Sequence, residues 1–459
     1  MISLDVNVPD LASKRLKVTE YGNNRRKLQI SSNLLPLFGF EKDQRVVERS
    51  LGNGKGFVIE PAMTIHNKPK KVYQRSYKSR KNNGLETVTE TSRKDLLNDA
   101  LGNARYVHVT FRHGHITVKP VINKMAERIE KLLKSDDPYS IFAACTSGVD
   151  THAATQEGWS ITSILDRRPQ ESRDKTDKSE TGLMTALSNV SPLHAFNEDI
   201  YDVSVDYLLW ATKNNPATVF TVSPQCCDFS NAKSAKKKHQ DEQSLSTTLD
   251  MIYPILKMIE GMRFPCILTE EVSNFGSSDI GRFYDIALRR MGYKTTQIKL
   301  DARDHGGVTS RVRWFHFATA LDAEFSWPEP QPRSTETLWS RFIAADLSNC
   351  RDITHTQSMK DGLATGRLRP ITSSDTYGKT LLKSNSRQAK DSIVLMDDDR
   401  ILFPTENIHR ELMTVPDDFS LDTVSKEVAI EILGQAVDHS TYRHIMRAVK
   451  DHVSSAFQA

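Results

Sequence analysis

The chain has 459 residues, 38% of them hydrophobic, which is enough for two or three domains with their own cores. The formal net charge of +4 is compatible with a nucleic-acid partner, although charge alone does not identify one. Five cysteines without metal-ligand spacing argue against a disulfide framework, and we expect no metal. The N-terminus lacks a signal pattern and no apolar run could span a bilayer, so we expect an intracellular protein without membrane contact.

Residues 1–135 contain a faint internal repeat. Residues 30–61 combine a short helical run with the strand-like segments 45–47 and 56–61. Residues 91–120 follow the same order, with strand-like segments at 106–109 and 115–120. Each copy predicts a helix, a strand, a glycine-containing turn and a strand closed by proline. The pattern resembles the swapped-hairpin β-barrel of AbrB-type DNA-binding domains, and any other small β-rich accessory domain is the alternative.

A basic segment, residues 68–81, separates the two copies. It carries seven Lys or Arg, two tyrosines and no acidic residue. One interpretation is an arm that contacts phosphates, with tyrosines available for stacking. The other is a solvated basic linker. On the first interpretation, the residues expected to contact DNA are Lys70, Lys71, Arg75 and Lys78.

Residues 139–322 alternate strand and helix patterns, which predicts a parallel sheet with helices on both faces. The first strand, residues 140–144, leads into a loop of small residues that ends near Gly148. The second strand ends at Asp166, where an acidic side chain is well placed to hold a pair of ribose hydroxyls. Asp199 lies at a third probable strand end.

A later strand, residues 218–222, runs into the loop Ser223-Pro224-Gln225-Cys226-Cys227-Asp228-Phe229-Ser230. A cysteine at the C-terminal edge of such a sheet can be a nucleophile. Taken alone, the loop is better explained by a small apolar residue filling space beside the strand. The lysine-rich residues 231–243 that follow are interpreted as a mobile lid over a phosphate backbone, with Lys236 and Lys237 as contacts, or as a solvated charge run.

Four further motifs come later in the chain. Thr269-Glu270-Glu271-Val272 closes a strand, and residues 306–313 end in the arginines Arg311 and Arg313. Between residues 323 and 398 the periodicity fails, and Pro, Ser, Thr and basic residues dominate. The chain closes with residues 416–419, residues 434–437 and a stretch from 425 to 453 that predicts two helices.

The ordered set of motifs, over about residues 138–450, resembles the DNA (cytosine-5)-methyltransferases. That family's motifs are Pro-Pro-Cys-Gln-x-Phe-Ser, Glu-Asn-Val, Gln-x-Arg-x-Arg, Pro-Asp-x-Phe and Gly-Asn-x-Val. The resemblance implies S-adenosylmethionine as methyl donor, double-stranded DNA as partner, nucleoid association and a flipped-out target cytosine. A restriction-modification setting is also implied, and we expect a monomer, with dimerisation through the N-terminal domain as the alternative.

The resemblance also implies a role for each site residue. Cys226 would add to carbon 6 of cytosine, Glu270 would protonate N3, and Arg313 would bind the O2 oxygen. Arg311, the other arginine of the catalytic set, would hold a phosphate or the fold. The cofactor residues are assigned as Phe142 against adenine, Asp166 on the ribose, Asp199 on the adenine amine, and Ala143 to Gly148 beside the methionine portion, with Ile200 and Pro224 completing the set.

The motifs also depart from the family pattern. Gln225, Cys227, Glu271 and Thr309 stand where the family has Pro, Gln, Asn and Gln, and Gln435 replaces the last Asn. These departures keep two alternatives open, a catalytically weak DNA-binding regulator and a cytosine-5 methyltransferase that acts on RNA.

The predicted architecture is α/β. A β-rich accessory domain (1–135) precedes a Rossmann-like class I methyltransferase sheet (136–322), a small target-recognition region (323–398) and a closing segment (399–459) that packs back on the catalytic domain.

Overall fold

The computed structural model describes residues 7–22, 25–63, 69–79, 84–135, 137–168, 180–225, 228–229, 239–240, 242–244 and 247–458. The chain divides into two compact units, an N-terminal unit, Met1–Lys124, and a C-terminal unit, Met125–Ala459. Within the described part of the chain, no helix is both long enough and apolar enough to cross a membrane.

The N-terminal unit is built from two copies of one strand-strand-strand-helix-strand-strand pattern. The first copy contains β1 Ala12–Lys17, β2 Thr19–Tyr21, β3 Arg25–Ser31, α1 Leu34–Leu37, β4 Arg45–Ser50 and β5 Phe57–Pro61. The second contains β6 Lys70–Lys71, β7 Tyr73–Ser76, β8 Leu85–Thr91, α2 Lys94–Leu101, β9 Tyr106–Arg112 and β10 His115–Pro120. The predicted internal repeat is therefore confirmed, and it begins earlier in each copy than the sequence indicated.

The two copies exchange their first strands and are related by a pseudo-twofold axis. One sheet has the order β1-β9-β10-β5-β4-β6, so β1 lies on the second copy and β6 on the first. The other sheet has the order β2-β3-β8-β7. The register is symmetric, since Leu28 pairs with Thr91 and Ser31 with Val88 across the β3–β8 pair. Alternating apolar residues of strands such as β9 form one shared core.

Over the residues that the structure describes, the basic segment is built into the sheets, so the interpretation as a solvated linker is wrong, whereas its contact with phosphates stays a prediction. It supplies β6 to the first sheet and β7 to the second. Its basic composition did not predict these strands. Pairing with acidic partners of the neighbouring strands explains why this basic stretch is nevertheless ordered.

The C-terminal unit contains a seven-stranded sheet with the order β13-β12-β11-β14-β15-β17-β16. The strands are β11 Ser140–Ala144, β12 Ser160–Leu165, β13 His194–Phe196, β14 Val219–Val222, β15 Cys266–Val272, β16 Lys294–Asp301 and β17 Val312–Thr319. Strands β11 to β15 run parallel, whereas β17 is antiparallel to both β15 and β16. The predicted class I methyltransferase sheet is confirmed.

Helices cover both faces of this sheet, which is why β11 and β14 are buried along their whole length. The helices that connect the strands are α3 Lys124–Leu132, α4 Val149–Gln156, α5 Thr181–Leu187, α6 Val205–Ala211, α7 Ile252–Met262 and α8 Asp279–Arg290. Two separate apolar clusters, one on each face, form the core.

The region after the sheet forms a second, smaller sheet that the sequence did not predict. Its order is β18-β21-β20-β19, from β18 Arg351–Asp352, β19 Arg369–Ile371, β20 Ile393–Asp397 and β21 Arg400–Phe403. Helices α9 Ala344–Asp346 and α10 Gln357–Ala364 accompany it. Strands of two to five residues are too short to show a periodicity of their own.

The closing segment contains α11 Glu406–Glu411, α12 Lys426–Gln435 and α13 His439–Gln458. The two helices predicted between residues 425 and 453 are thus present, as α12 and α13. Helix α13 packs against the start of the large sheet, where Trp159 Nε1 donates to the carbonyl oxygen of Met446 at 3.1 Å. Glu157, at the end of α4, also binds Arg443 and Arg447 of α13.

Candidate active site

The loop after β14 is framed by described residues on both sides of the predicted nucleophile. Pro224 is buried and lies two residues after the end of the strand, as the sequence indicated. Cys226 and Cys227 lie outside the described residues, and so do Lys236 and Lys237. The described neighbours of the two cysteines, Gln225 and Asp228, are both tied to residues 247–251 on the far side of the loop.

Asp228 closes the base of this loop. Its carboxylate oxygen Oδ2 accepts from Thr247 Oγ1 at 3.0 Å, from Thr248 N at 2.6 Å and from Thr248 Oγ1 at 2.9 Å. Thr248 Oγ1 also lies 3.2 Å from the carbonyl oxygen of Gln225. The chain on either side of the two cysteines is therefore fastened to the same threonine pair. We call this set, Gln225, Asp228, Thr247 and Thr248, the loop clasp.

Glu270 and Arg313 meet at the C-terminal end of β15. Arg313 Nε lies 3.0 Å from Glu270 Oε1, and the two side chains are only 16% and 11% exposed. The antiparallel register pairs Glu270 with Phe315 and Val272 with Arg313, so the two side chains share one face of the sheet. β15 lies next to β14, whose end leads to the cysteine loop. A carboxylate and a guanidinium thus stand together on the strand next to the one that leads into the cysteine loop.

Arg311 has a different position, which settles the choice that the sequence left open for it. The residue is 2% exposed, and its guanidinium donates to the carbonyl oxygens of Leu381 at 3.0 Å, Gly434 at 3.4 Å and Gln435 at 3.3 Å. A guanidinium that binds buried backbone carbonyls fixes the chain around it. Arg311 therefore holds the last motif against the sheet, and its inclusion in the catalytic set is corrected to a structural role.

Three aspartates surround the loop between β11 and α4. Asp166 follows β12, Asp199 follows β13, and Asp150 lies in the first turn of α4. Burial and the neighbouring Asp150 charge raise the pKa of Asp166 to about 8. Burial also raises the pKa of Asp150 to about 6, although its hydrogen bond from Thr146 opposes the shift. The same carboxylates and burial raise the pKa of the Cys145 thiol.

The fold leaves no room for a side chain at two glycines beside these carboxylates. Gly148 has a φ of +104°, and a Cβ there would lie 2.8 Å from Ala186 Cα. A Cβ on Gly182 would lie 2.2 Å from Asp166 Oδ2. The loop and α5 are therefore in close contact with the Asp166 carboxyl group. The sequence did not reveal Asp150 or Gly182 because neither belongs to a motif that it could be matched to.

The remaining predicted cofactor residues are placed as follows. Phe142 is 1% exposed and packs among the rings of Phe196, Phe220 and Phe264, so in this structure it is a core residue. Ala143 and Ile200 are also buried. Asp199 forms an ion pair with Arg167, and its Oδ1 accepts from Tyr201 N at 3.1 Å.

This donor set fits S-adenosylmethionine. A buried carboxyl group whose pKa is raised, as in Asp166, is stabilised in its charged form by a cation and by hydroxyl donors. The sulfonium, the ammonium and the ribose hydroxyls of S-adenosylmethionine are groups of these kinds. Asp166 directly follows the second strand of the sheet, and its role at the ribose stays a prediction.

The predicted DNA-contacting residues of the N-terminal unit fall into two groups. Lys70 donates to Glu48 Oε1 at 3.1 Å and Thr91 Oγ1 at 2.9 Å, and the Glu48 side chain is only 2% exposed. Arg75 donates to Gln29 Oε1 at 2.9 Å and to Tyr73 Oη at 3.2 Å. Lys71, in contrast, is 65% exposed in its pair with Asp43, and Lys78 is exposed.

Solved structures of methyltransferases share the fold of the C-terminal unit. Three solved structures each align with 68% of this chain. A DNMT2 mutant from Spodoptera frugiperda has 12% identity, 99% of its chain aligned and a TM-score of 0.51, and Dnmt2 methyltransferase from S. pombe has 15% identity, 98% aligned and a TM-score of 0.52. Methyltransferase EhMeth from Entamoeba histolytica has 13% identity, 98% aligned and a TM-score of 0.51. A search of curated proteins gave no match.

The profile of the C-5 cytosine-specific DNA methylase family matches residues 189–451, which is more than half of the chain. This range contains the cysteine loop, the Glu270–Arg313 pair and both closing motifs. Members of the family use S-adenosylmethionine as the methyl donor. The chain therefore belongs to the C-5 cytosine-specific DNA methylase family and is an S-adenosylmethionine-dependent cytosine methyltransferase.

Proposed function

We propose that this protein methylates carbon 5 of cytosine in double-stranded DNA, with Cys226 as the nucleophile. The Glu270–Arg313 pair is the observation that carries the proposal, because it puts an acid and a cation at the strand end beside the cysteine loop. The family profile, which is described by its DNA substrate, supports DNA over RNA.

Carbon 5 of cytosine is a poor nucleophile until a thiolate adds to carbon 6. The sulfur of Cys226 would form that bond, and the ring electrons would move towards N3 and O2. Glu270 would donate a proton to N3, and the Arg313 guanidinium would stabilise the charge on O2. In the free protein the two groups form an ion pair, so Glu270 would have to take up a proton as the entering base separates the pair before it can donate one to N3.

The loop clasp would hold the nucleophile in register with this pair. Cys226 and Cys227 are the two residues between Gln225 and Asp228, both of which bind Thr248. The free thiol of cysteine has a pKa of about 8.5, so its reactivity depends on where it is held. A base inside a duplex cannot reach this pocket, and flipping it out costs a few kcal/mol.

S-adenosylmethionine supplies the methyl group when it is bound. Asp166 would accept hydrogen bonds from the ribose hydroxyls, and Asp199 would accept from the adenine amine. The close contact at Gly148 would keep the loop from Ala143 to Gly148 beside the methionine portion. Phe142 is packed in the core, where its ring contacts Phe196 and Phe220, so it would act on the adenine site indirectly by fixing the positions of those two rings.

The N-terminal unit would add affinity for DNA through phosphate contacts. Of the four residues that the sequence predicted to contact DNA, Lys71 and Lys78 are exposed, and these two are the proposed phosphate contacts. Lys70 and Arg75 are tied to Glu48 and Glu90 and would mainly stabilise the unit. The AbrB-type identity of the fold stays a prediction.

One assay distinguishes the possible substrates. Full-length protein is incubated with labelled S-adenosylmethionine and with duplex DNA or RNA of matched sequence, and incorporated label is counted. We expect label in DNA. Label confined to RNA would establish the RNA alternative, and label in neither, for a folded protein that binds the donor, would contradict the proposed activity.

A further inference from the structure

Two carboxyl groups are adjacent in sequence at the end of β15, but their surroundings are opposite. Glu270 faces Arg313, its ion-pair partner. Glu271 points to the other face, because successive side chains of a strand alternate. There it lies opposite Trp314 in the register, on the face where Thr269 binds the hydroxyl of Tyr284 in α8.

Among the residues that the structure describes, no cation forms an ion pair with the Glu271 carboxyl group. The residue is 1% exposed. Its Oε2 accepts from Val272 N at 2.6 Å, and its Oε1 is buried without a hydrogen-bond partner. Leaving a carboxylate oxygen buried and unpaired is costly, whereas a protonated carboxyl group removes most of that cost.

The charged groups around Glu271 favour the protonated form. Burial is the main cause that raises the pKa of Glu271 well above 4.5, the Glu270 carboxylate adds to it, and Arg313 opposes it. Titratable groups on the elements of this face include His316 of β17, Lys299 of β16, and Tyr284, Asp285 and Arg289 of α8, and Arg289 is paired with Asp285. His316 is already bound to Asp285 at 3.1 Å, with its pKa lowered by burial.

We propose that Glu271 works as an uncharged carboxylic acid and is a positioning residue for the Glu270–Arg313 pair. Uncharged, it occupies the place where the family has a neutral carboxamide, and its Oε2 accepts the same kind of backbone hydrogen bond that an amide oxygen would. Ionised, it would set two carboxylates against one guanidinium and weaken the hold of Arg313 on Glu270 and on the cytosine O2. This inference deepens the proposed function and rests on it for the catalytic part.

Stability gives a test that does not depend on activity. A carboxyl group whose pKa is raised by folding binds a proton more tightly in the folded state, so the free energy of unfolding falls as pH rises from about 4.5 through the raised pKa. Glu271→Gln has no proton to lose. In thermal unfolding of the full chain from pH 5 to 9, the melting temperature of Glu271→Gln should rise relative to that of the wild type as pH rises.

The matched control is Glu260→Gln, which changes an exposed carboxyl group of α7 in the same way. It should track the wild type at every pH. A difference between Glu271→Gln and the wild type that is constant with pH, or that turns against the variant at high pH, would overturn the inference. Glu271→Asn, the residue of the family motif, should show the same trend with pH, which keeps the test informative if the Gln variant folds poorly.

The positioning role is tested by the pH dependence of kcat/KM for methyl transfer. The wild type should lose about tenfold per pH unit once Glu271 ionises, and Glu271→Gln should move that fall to higher pH or abolish it. A fall in kcat/KM that occurs at the same or at a lower pH in Glu271→Gln than in the wild type would contradict the role. If the wild type methylates neither DNA nor RNA, the proposed function fails, and the unfolding series still decides the state of Glu271.

Discussion

The loop clasp makes a prediction that can be worked out from its hydrogen bonds. Asp228→Ala removes the acceptor of the Thr247 hydroxyl and of the Thr248 backbone N–H, and one of the two acceptors that share the single proton of the Thr248 hydroxyl. A hydrogen bond to a charged group contributes about 1.5–3 kcal/mol, but bonds to one oxygen are not additive, so we expect a total loss of about 2–4 kcal/mol. If that energy holds the nucleophile in place, kcat should fall by about 30- to 1,000-fold.

The assay is single-turnover methylation of DNA at saturating donor and DNA, combined with thermal unfolding. Thr248→Ser keeps both donors to Asp228 and should retain near-normal kcat, whereas Thr248→Val keeps only the backbone donor and should fall in between. The large sheet should stay folded in all three variants, because the clasp lies at a loop. Normal kcat in folded Asp228→Ala protein would refute the positioning of the cysteine loop by this clasp.

Three further predictions follow from single contacts. Burial and Asp150 raise the pKa of Asp166 to about 8 in the protein without donor, and the ribose favours the ionised form. Donor affinity should therefore increase as pH rises towards 8 and then level off, and calorimetry should show no such trend for Asp166→Asn. Lys71→Ala should make the slope of log DNA affinity against log salt concentration shallower by about 0.9, as measured by fluorescence anisotropy. Lys70→Ala should leave that slope unchanged and lower the melting temperature of the protein. Arg311→Ala removes the donor to several buried carbonyl oxygens and should reduce the free energy of unfolding by about 3–5 kcal/mol. Denaturant titrations measure this loss, and Arg311→Lys should recover part of the lost stability.

The sequence predicted the large sheet because its parallel strands are rich in apolar and β-branched residues and end in recognisable motifs. It also identified Glu270 and Arg313, since each closes or opens a strand at the same edge. The sequence did not predict hydrogen bonds between residues that are far apart along the chain. Arg311 and Gly434 are 123 residues apart, and nothing in the arginine motif distinguishes a guanidinium that binds substrate from one that binds carbonyl oxygens.

The basic segment, residues 68–81, shows that composition alone can mislead about whether a segment is part of a sheet. Its composition suggested an exposed arm, because seven cations without an acid look solvated when the segment is taken alone. The acids that order it come from the neighbouring strands, Glu48 of β4 and Glu90 of β8. Only the strand exchange between the two copies of the repeat brings β6 and β4 together, and that pairing is a property of the fold rather than of the segment.

The most direct test of the proposed mechanism is to trap the nucleophile. DNA in which the target cytosine is replaced by 5-fluorocytosine is incubated with the protein and S-adenosylmethionine, and the covalent complex is digested and mapped by mass spectrometry. We predict an adduct on Cys226, loss of the adduct and of methylation in Cys226→Ser, and retention of both in Cys227→Ser. An adduct on Cys227, or methylation that survives Cys226→Ser, would contradict the assignment of the nucleophile.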